Sequence, residues 1–147
     1  MQRIDKNRFG PWAIVTGASS GIGKAFASHL AANGLNVVLV ARRQAILEEF
    51  GQELATEYRI QYRAVGVDLS EGDFIPKIDA ITHDLDIGLV VSNAGATVYG
   101  EFLTLDPLSL QHSLHLNVTA HLDVVHHFGQ HLTKPQSAEA DRLKGSY

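Results

Sequence analysis

The sequence predicts a doubly wound α/β domain, a parallel sheet held between two layers of helices, and three observations predict it. Short apolar runs alternate with stretches of helical periodicity from Trp12 to Ser92, the pattern of strands joined by right-handed helical crossovers. The run Asn36–Ala41 is apolar throughout its middle, as a strand covered on both faces requires. With 147 residues, of which 45% are hydrophobic and 19% charged, the chain fits one ordinary soluble globular domain.

Taken in order, Trp12–Thr16 is an apolar run that stops at Gly17, as a buried strand does. Over residues 22–32 the apolar Ile22, Ala25, Phe26, Leu30 and Ala31 recur at helical spacing, and Asn33-Gly34 ends the pattern. Asn36–Ala41 is the second strand. Gln44–Tyr58 follows as a helix with Leu47, Phe50, Leu54 and Tyr58 along one stripe. Residues 62–67 form a weaker third strand, after which Ser70 is placed to cap a helix reaching about His83. Residues 87–92 make a fourth strand that ends at Asn93-Ala94-Gly95.

Beyond that point the chain turns helical. Asp106 caps, and Pro107 opens, a helix through about His115. A longer helix opens at Asn117 and runs to about Leu132, with Val118, Leu122, Val125, Phe128 and Leu132 as its buried face. Residues 1–132 are therefore one domain. Over residues 133–147 the alternation stops, leaving a polar tail whose large aliphatic residue is Leu143.

A net charge of −4 gives no concentrated basic face for nucleic acid. The absence of cysteine excludes disulfide and thiol chemistry and is compatible with a reducing cytoplasm. Residues 1–11 lack the apolar core of a signal peptide, and no apolar run approaches a membrane span. A cytoplasmic protein is expected.

The segment Thr16-Gly17-Ala18-Ser19-Ser20-Gly21-Ile22-Gly23 lies between the first strand and the first helix. In such a turn one glycine permits a tight exit from the strand. A second lets backbone approach a phosphate, and a third lets helix and sheet pack closely. The N–H groups and dipole of the helix that follows favour an anion. The spacing Gly-x-x-x-Gly-x-Gly resembles the signature of the short-chain dehydrogenase/reductase family, Thr-Gly-x-x-x-Gly-x-Gly at the same place. Further family-like features follow in the family's order. Asp68-Leu69 stands where the family contacts adenine. Asn93-Ala94-Gly95 matches its Asn-Asn-Ala-Gly segment, with Ser92 for the first Asn. Asn117 stands where the family keeps an Asn that orders water near a catalytic Lys. The resemblance covers residues 9–132.

That resemblance implies a Rossmann-like, three-layer α/β/α fold, incomplete, with strand order 3-2-1-4. It implies nicotinamide dinucleotide binding through Thr16, Gly17, Ser19, Ser20, Gly21, Ile22, Gly23, Arg42, Asp68, Leu69, Asn93, Ala94 and Gly95, and hydride exchange with a small carbonyl or alcohol. An acidic residue ending the second strand would select NAD(H). Ala41-Arg42-Arg43 stands there instead. The carboxylate that would repel a 2′-phosphate is missing and Arg42 can fork onto one, so NADP(H) is favoured over NAD(H).

Family catalysis needs a Tyr with a Lys four residues on to lower its pKa, because an unperturbed Tyr titrates near 10. Tyr58, Tyr62 and Tyr99 are followed at that distance by Tyr62, Gly66 and Leu103, and Tyr147 is the last residue. The catalytic Ser, Tyr and Lys are absent; only Asn117 holds a catalytic family position. The chain is read as ending before them, by truncation, frame shift or fragment boundary, and as having little turnover of its own. Without a fifth strand, Leu89, Val90 and Val91 lie on an unpaired apolar edge, which predicts a marginal or homo-oligomeric protein. An alternative is a non-catalytic nucleotide-binding or oligomerisation module.

Three other motifs carry less. Gly17-Ala18-Ser19-Ser20-Gly21 also fits a hydrolase nucleophile elbow with Ser19 as nucleophile, but it follows the very first strand, leaving no preceding sheet and no preceding oxyanion loop. His127 and His131 share a helix face at metal-ligand spacing without accompanying carboxylate or cysteine pattern, so no metal is expected. Asn117-Val118-Thr119 matches a glycosylation acceptor but lacks a secretory signal.

Overall fold

The computed structural model describes residues 4–132; the predicted polar tail lies outside them. Four parallel strands, β1 (Trp12–Thr16), β2 (Asn36–Ala41), β3 (Tyr62–Gly66) and β4 (Ile87–Val91), form one sheet in the order β3-β2-β1-β4. The strand positions and the predicted 3-2-1-4 order hold. β1 aligns Trp12 with Asn36 and Thr16 with Val40 of β2, while its pairing with β4 shifts register between Trp12 and Ala13.

Strand alternation sorts the core into two halves. Ala13, Val15, Val37 and Leu39 face α2 (Gly21–Ala32) and α3 (Gln44–Tyr58), packing with Leu30, Leu47, Phe50 and Leu54. Ile14, Val38, Val40 and Val65 face the other way, against Phe74 and Ile78 of α4 (Phe74–Thr82) and Val124 and Phe128 of α6 (Ala120–Leu132). A short α1 (Lys6–Phe9) leads into β1 and lays the Phe9 carbonyl on Gly88 of β4, where any Cβ would collide with it. Among the described residues no helix is long and apolar enough to cross a membrane.

Two helix faces, one cap and one helix start differ from expectation. In α2 the buried residues are Gly23, Ala27, Leu30 and Ala31, whereas Ile22 and Phe26 are exposed at 70% and 47%. Small residues bring the helix close to the sheet, and hydrophobicity alone does not reveal that. Ser70 does not cap a helix; its N–H and hydroxyl both donate to Asp68 Oδ1, at 2.9 and 2.7 Å, and α4 starts only at Phe74.

Nor does Asn117 open a helix. It lies inside a π turn, His115–Thr119, that joins α5 (Pro107–Leu114) to α6 in one helical run. Asp106 does cap α5, accepting from Ser109 N. The extra residue of the π turn rotates the following face by about 100°. α6 accordingly buries Ala120, Val124 and Phe128, leaving Val118, Leu122, Val125 and Leu132 exposed.

On the outer strand, Arg63 forks onto Asp84 at 2.6 and 2.7 Å and also donates to the Ile81 carbonyl, tying β3 to the end of α4. The Arg63 guanidinium holds the Asp84 carboxyl down from 3.8 to about 2. Such a depressed folded-state pKa contributes stability that is intact above the unfolded value and lost as pH falls through the folded one. Stability measured by denaturant unfolding should therefore fall between about pH 4 and pH 2 in the wild type. The part of that fall due to this pair should vanish in Asp84→Asn; an unchanged acid limb in the variant would contradict it.

Candidate functional site

The turn leaving β1 is stitched to strands on both sides. Thr16 is 1% exposed, and its Oγ1 accepts from the backbone N–H of Asn93 at 2.9 Å and of Ala94 at 3.0 Å. Asn93 Nδ2 returns a bond to the Thr16 carbonyl at 3.1 Å. On the other side the Ala18 N–H reaches the Val40 carbonyl of β2 at 3.2 Å. The glycines then act separately. Gly17 takes φ +69°, and a Cβ on it would stand 2.8 Å from Asn93 Nδ2. A Cβ on Gly23 would stand 2.3 Å from the Gly17 carbonyl oxygen, so Gly23 is the close-packing glycine. Gly21, at φ +54°, faces open space with nothing within 4 Å. It is the glycine that leaves room for another molecule. The first-turn N–H groups of α2 have no earlier helical carbonyl to meet, and the Ser20 side chain does not cap them.

A cleft of about 360 Å³ opens at this turn, along the carboxyl ends of all four strands. Gly17, Ser19, Ser20, Gly21, Ile22, Arg42, Asp68, Leu69, Asn93, Ala94 and Gly95 line it, so the structure brings these predicted residues together. Thr16 and Gly23 lie behind the wall and shape it. The exposed Ile22, which contributes little to the core, belongs to the lining.

The β2–α3 corner carries positive charge. Arg42 and Arg43 both line the cleft, Arg43 is the N-cap of α3, and the first turn of α3 holds no acidic residue. Neither arginine forms an ion pair with a described residue. Opposite them, burial pushes the Asp68 carboxyl up, but the Ser70 hydroxyl and N–H and the charges of Arg42 and His112 outweigh it. The net pKa lies below the ordinary 3.8.

Asn117 stands outside the cleft lining. Its Oδ1 accepts from Ala96 N at 3.2 Å, and its Nδ2 donates to the Ala96 carbonyl at 2.7 Å and the Ser113 carbonyl at 2.8 Å. In this structure it grips both polar groups of Ala96 and so holds the 93–96 wall.

Sequence reasoning missed Ala41, Arg43, Val67, Ala96 and Leu116 as lining residues. Arg43 was legible beside Arg42, whereas Leu116 depends on the π turn, which no local pattern announces. Also unforeseen is the bond between Ser92 Oγ and His121 Nδ1 at 2.6 Å. The hydroxyl that replaces an Asn thereby ties β4 to α6. Ser19 bonds to no described histidine. His127 pairs with Asp79 at 3.1 Å and stacks edge-on against His131, and among the described residues no three His, Cys, Asp or Glu side chains converge as a metal site.

The family model for short chain dehydrogenase matches residues 11–140. This chain belongs to the short-chain dehydrogenase family. It is 35% identical over 123 residues to a 7beta-hydroxysteroid dehydrogenase of Mediterraneibacter gnavus, covering 84% of this chain and 47% of that protein. Very-long-chain 3-oxoacyl-CoA reductase-A of Danio rerio is 38% identical over 96 residues, covering 65% and 30%. Among solved structures, a 7beta-hydroxysteroid dehydrogenase superposes with a TM-score of 0.82 at 29% identity, over 85% of this chain and 50% of that one. The L-sorbose reductase of Gluconobacter frateurii, complexed with NADPH and L-sorbose, gives 0.74 at 26% identity over 84% and 48%. The chain thus spans half or less of the length of these relatives.

The Thr16 hydroxyl sets the wall's geometry, and replacing it leaves two N–H groups without their acceptor. Thr16→Val should cost about 1–3 kcal/mol in denaturant unfolding; a loss below about 0.5 kcal/mol would show that the two amides find other partners.

Proposed function

We propose that residues 1–132 hold NADP(H) in this cleft, as the cofactor-binding portion of an oxidoreductase acting on a carbonyl or alcohol. One observation carries the choice of cofactor. Two arginines stand at the N-terminus of α3, where the helix dipole disfavours cations, without an ion pair to any described residue; Asp68 acts on Arg42 only across the cleft. Ala41 leaves the strand end without a carboxylate to bind a ribose 2′-hydroxyl. Such a corner suits a 2′-phosphate between Arg42 and the Ser19 or Ser20 hydroxyl.

The rest of the donor set fits the remainder of the cofactor. The N–H groups of the turn Gly17 to Gly23, with open space above Gly21, suit a pyrophosphate. Asp68 and Leu69 lie at the place for adenine, and Asn93, Ala94 and Gly95 form a wall for the nicotinamide-side ribose. The solved relatives described as complexed with NADPH or NADP support this placement. When bound, the nicotinamide supplies or accepts a hydride; the residues here bind and orient it.

Proton transfer is a separate task. Within the 147 residues no Tyr is followed four places on by a Lys. Tyr58 is instead raised by its bond to Glu57, and Tyr62 by burial and Glu48. We therefore assign this chain cofactor binding with negligible turnover. The relatives' names, a hydroxysteroid dehydrogenase and a 3-oxoacyl-CoA reductase, support carbonyl/alcohol chemistry for a complete enzyme.

Calorimetric titration should find NADPH bound at least about tenfold more tightly than NADH, a gap of about 1.4 kcal/mol. Arg42→Ala should weaken NADPH by about 10- to 100-fold, the loss expected of a charged hydrogen bond, and leave NADH within about twofold. Equal affinity for the two nucleotides would overturn the assignment. So, for the catalytic half of it, would steady NADPH oxidation by the pure chain with a carbonyl substrate.

A second function, subunit joining, is favoured by the exposed Val118 in the π turn and Leu122, Val125 and Leu132 on α6, together with the edge of β4, unpaired among the described residues. Sizing at micromolar concentration should give a homo-oligomer, which Leu122→Lys dissociates; a strictly monomeric wild type would exclude it.

A further inference from the structure

Gln44 opens α3 one residue after the two arginines, and its side chain does not run out into solvent. Nε2 donates to the Ala64 carbonyl at 3.1 Å, and Oε1 accepts from Gly66 N–H. A carbonyl on one residue and an N–H two residues on are the pair that a neighbouring parallel strand engages. β3 is an outer strand and, among the described residues, pairs only with β2. The Gln44 carboxamide therefore completes the free edge of β3 as a strand one residue long.

Gly66 makes the approach possible. A Cβ there would stand 2.7 Å from Gln44 Oε1 and 2.9 Å from Gln44 Cβ. The clamp continues along the helix: Nε2 also donates to Glu48 Oε1 at 2.7 Å, and the Tyr62 hydroxyl donates to Glu48 Oε2 at 3.0 Å. On the other side of the arginines, the Val67 N–H holds the Ala41 carbonyl at 2.8 Å. Arg42 and Arg43 are thus the two residues between two fixed points, both anchored to the end of β3. Flexible cations without ion-pair partners gain most from an anion when the backbone beneath them is already fixed.

We propose that Gln44 is a positioning residue for selection of the 2′-phosphate. By fastening the first turn of α3 to the edge of β3, it holds the Arg42-Arg43 backbone at the rim of the cleft. The inference rests on the NADP(H) assignment above. NADH lacks the phosphate, and its other contacts are anchored elsewhere, through Thr16, Asn93 and Ser70.

The test compares NADPH and NADH affinities of the full chain by calorimetry, with thermal unfolding recorded on the same samples. Gln44→Met keeps length and helix propensity but removes both edge bonds. Gly66→Ala leaves Gln44 in place chemically and pushes it off the edge. Each should weaken NADPH about fivefold, the cost of reordering a loosened loop, with NADH within about twofold. The double variant should be little worse than either alone, since both remove one clamp.

Equal weakening of both nucleotides in step with a lowered melting temperature would mean that the clamp is only structural, and would overturn the proposal. So would an unchanged NADPH/NADH ratio in a folded Gly66→Ala, should Gln44→Met not fold. Failure of the underlying assignment reads differently. The wild type then binds both nucleotides alike, or Arg42→Ala leaves the ratio untouched, and the premise of the clamp falls with it.

Discussion

A single buried hydroxyl decides where the cleft opens. β1 has β2 on one side and β4 on the other, and the chain leaves the two outer neighbours toward opposite faces of the sheet. At such a switch point the strand ends diverge and leave a crevice. Thr16 spans it, accepting two consecutive N–H groups from the segment that leaves β4. Consecutive amides of an extended strand point to opposite sides, so one oxygen can accept both only where the chain has stopped being a strand. The bond therefore ends β4 and fixes the start of the 93–96 wall in one stroke. Asn93 then uses its own amide to hold Thr16; its side chain occupies the space a Cβ on Gly17 would need and, with the Gly17 carbonyl, the space one on Gly23 would need. The glycine spacing and the Asn-Ala-Gly segment are two halves of one contact.

The far end of that wall depends on a different device. The 93–96 segment follows no ladder, so its polar groups need partners from outside regular structure. Asn117 provides both for Ala96 from a helix, reaching them from inside a π turn. From the same position Asn117 Nδ2 also donates to the Ser113 carbonyl at the end of α5, so one side chain ties the irregular wall to the irregular helix. The same extra residue sets which side of α6 meets the sheet, so a local distortion near the cleft governs packing three turns away.

How far the sequence reveals all this varies with the length scale of the forces involved. The strands were legible because a buried parallel strand is apolar on both faces, and β1 and β2 carry no polar residue in their middles. Gln44–Tyr58 was legible to the residue, since its apolar stripe contains the large Leu47, Phe50 and Leu54. α2 was placed correctly and α6 was begun three residues early; Leu30, Ala31 and Phe128 are buried, but Ile22, Phe26, Leu122 and Val125 face outward. Each packs through Gly or Ala, Gly23 and Ala27 in one and Ala120 in the other, and close approach by small residues looks like absence of pattern to a hydrophobic count. The Ser70 cap failed for a related reason: Asp68, two residues earlier, competes for its donors. In the cleft, residue types and spacing identified the glycine turn and Arg42. Partners separated by many residues, such as Thr16 with Asn93 or Gln44 with Gly66, were out of reach because nothing local encodes them.

The positive corner shows what stability alone does not explain. A protein selected only to fold would place Asp, Ser or Thr at the start of α3, where a side-chain oxygen satisfies free N–H groups and the dipole favours negative charge. Arg43 occupies the N-cap instead, without a side-chain bond, beside Arg42 and with no acid in the first turn. Gln44 recovers stability at the next position by pairing with β3 rather than with the helix end. That leaves both arginines at the cleft without an ion pair to any described residue. An anion arriving there would find donors that need not first be taken from another partner, which is the condition for tight binding without reorganisation. The residues that forgo helix capping at this corner are the same ones that leave donors suited to an anion.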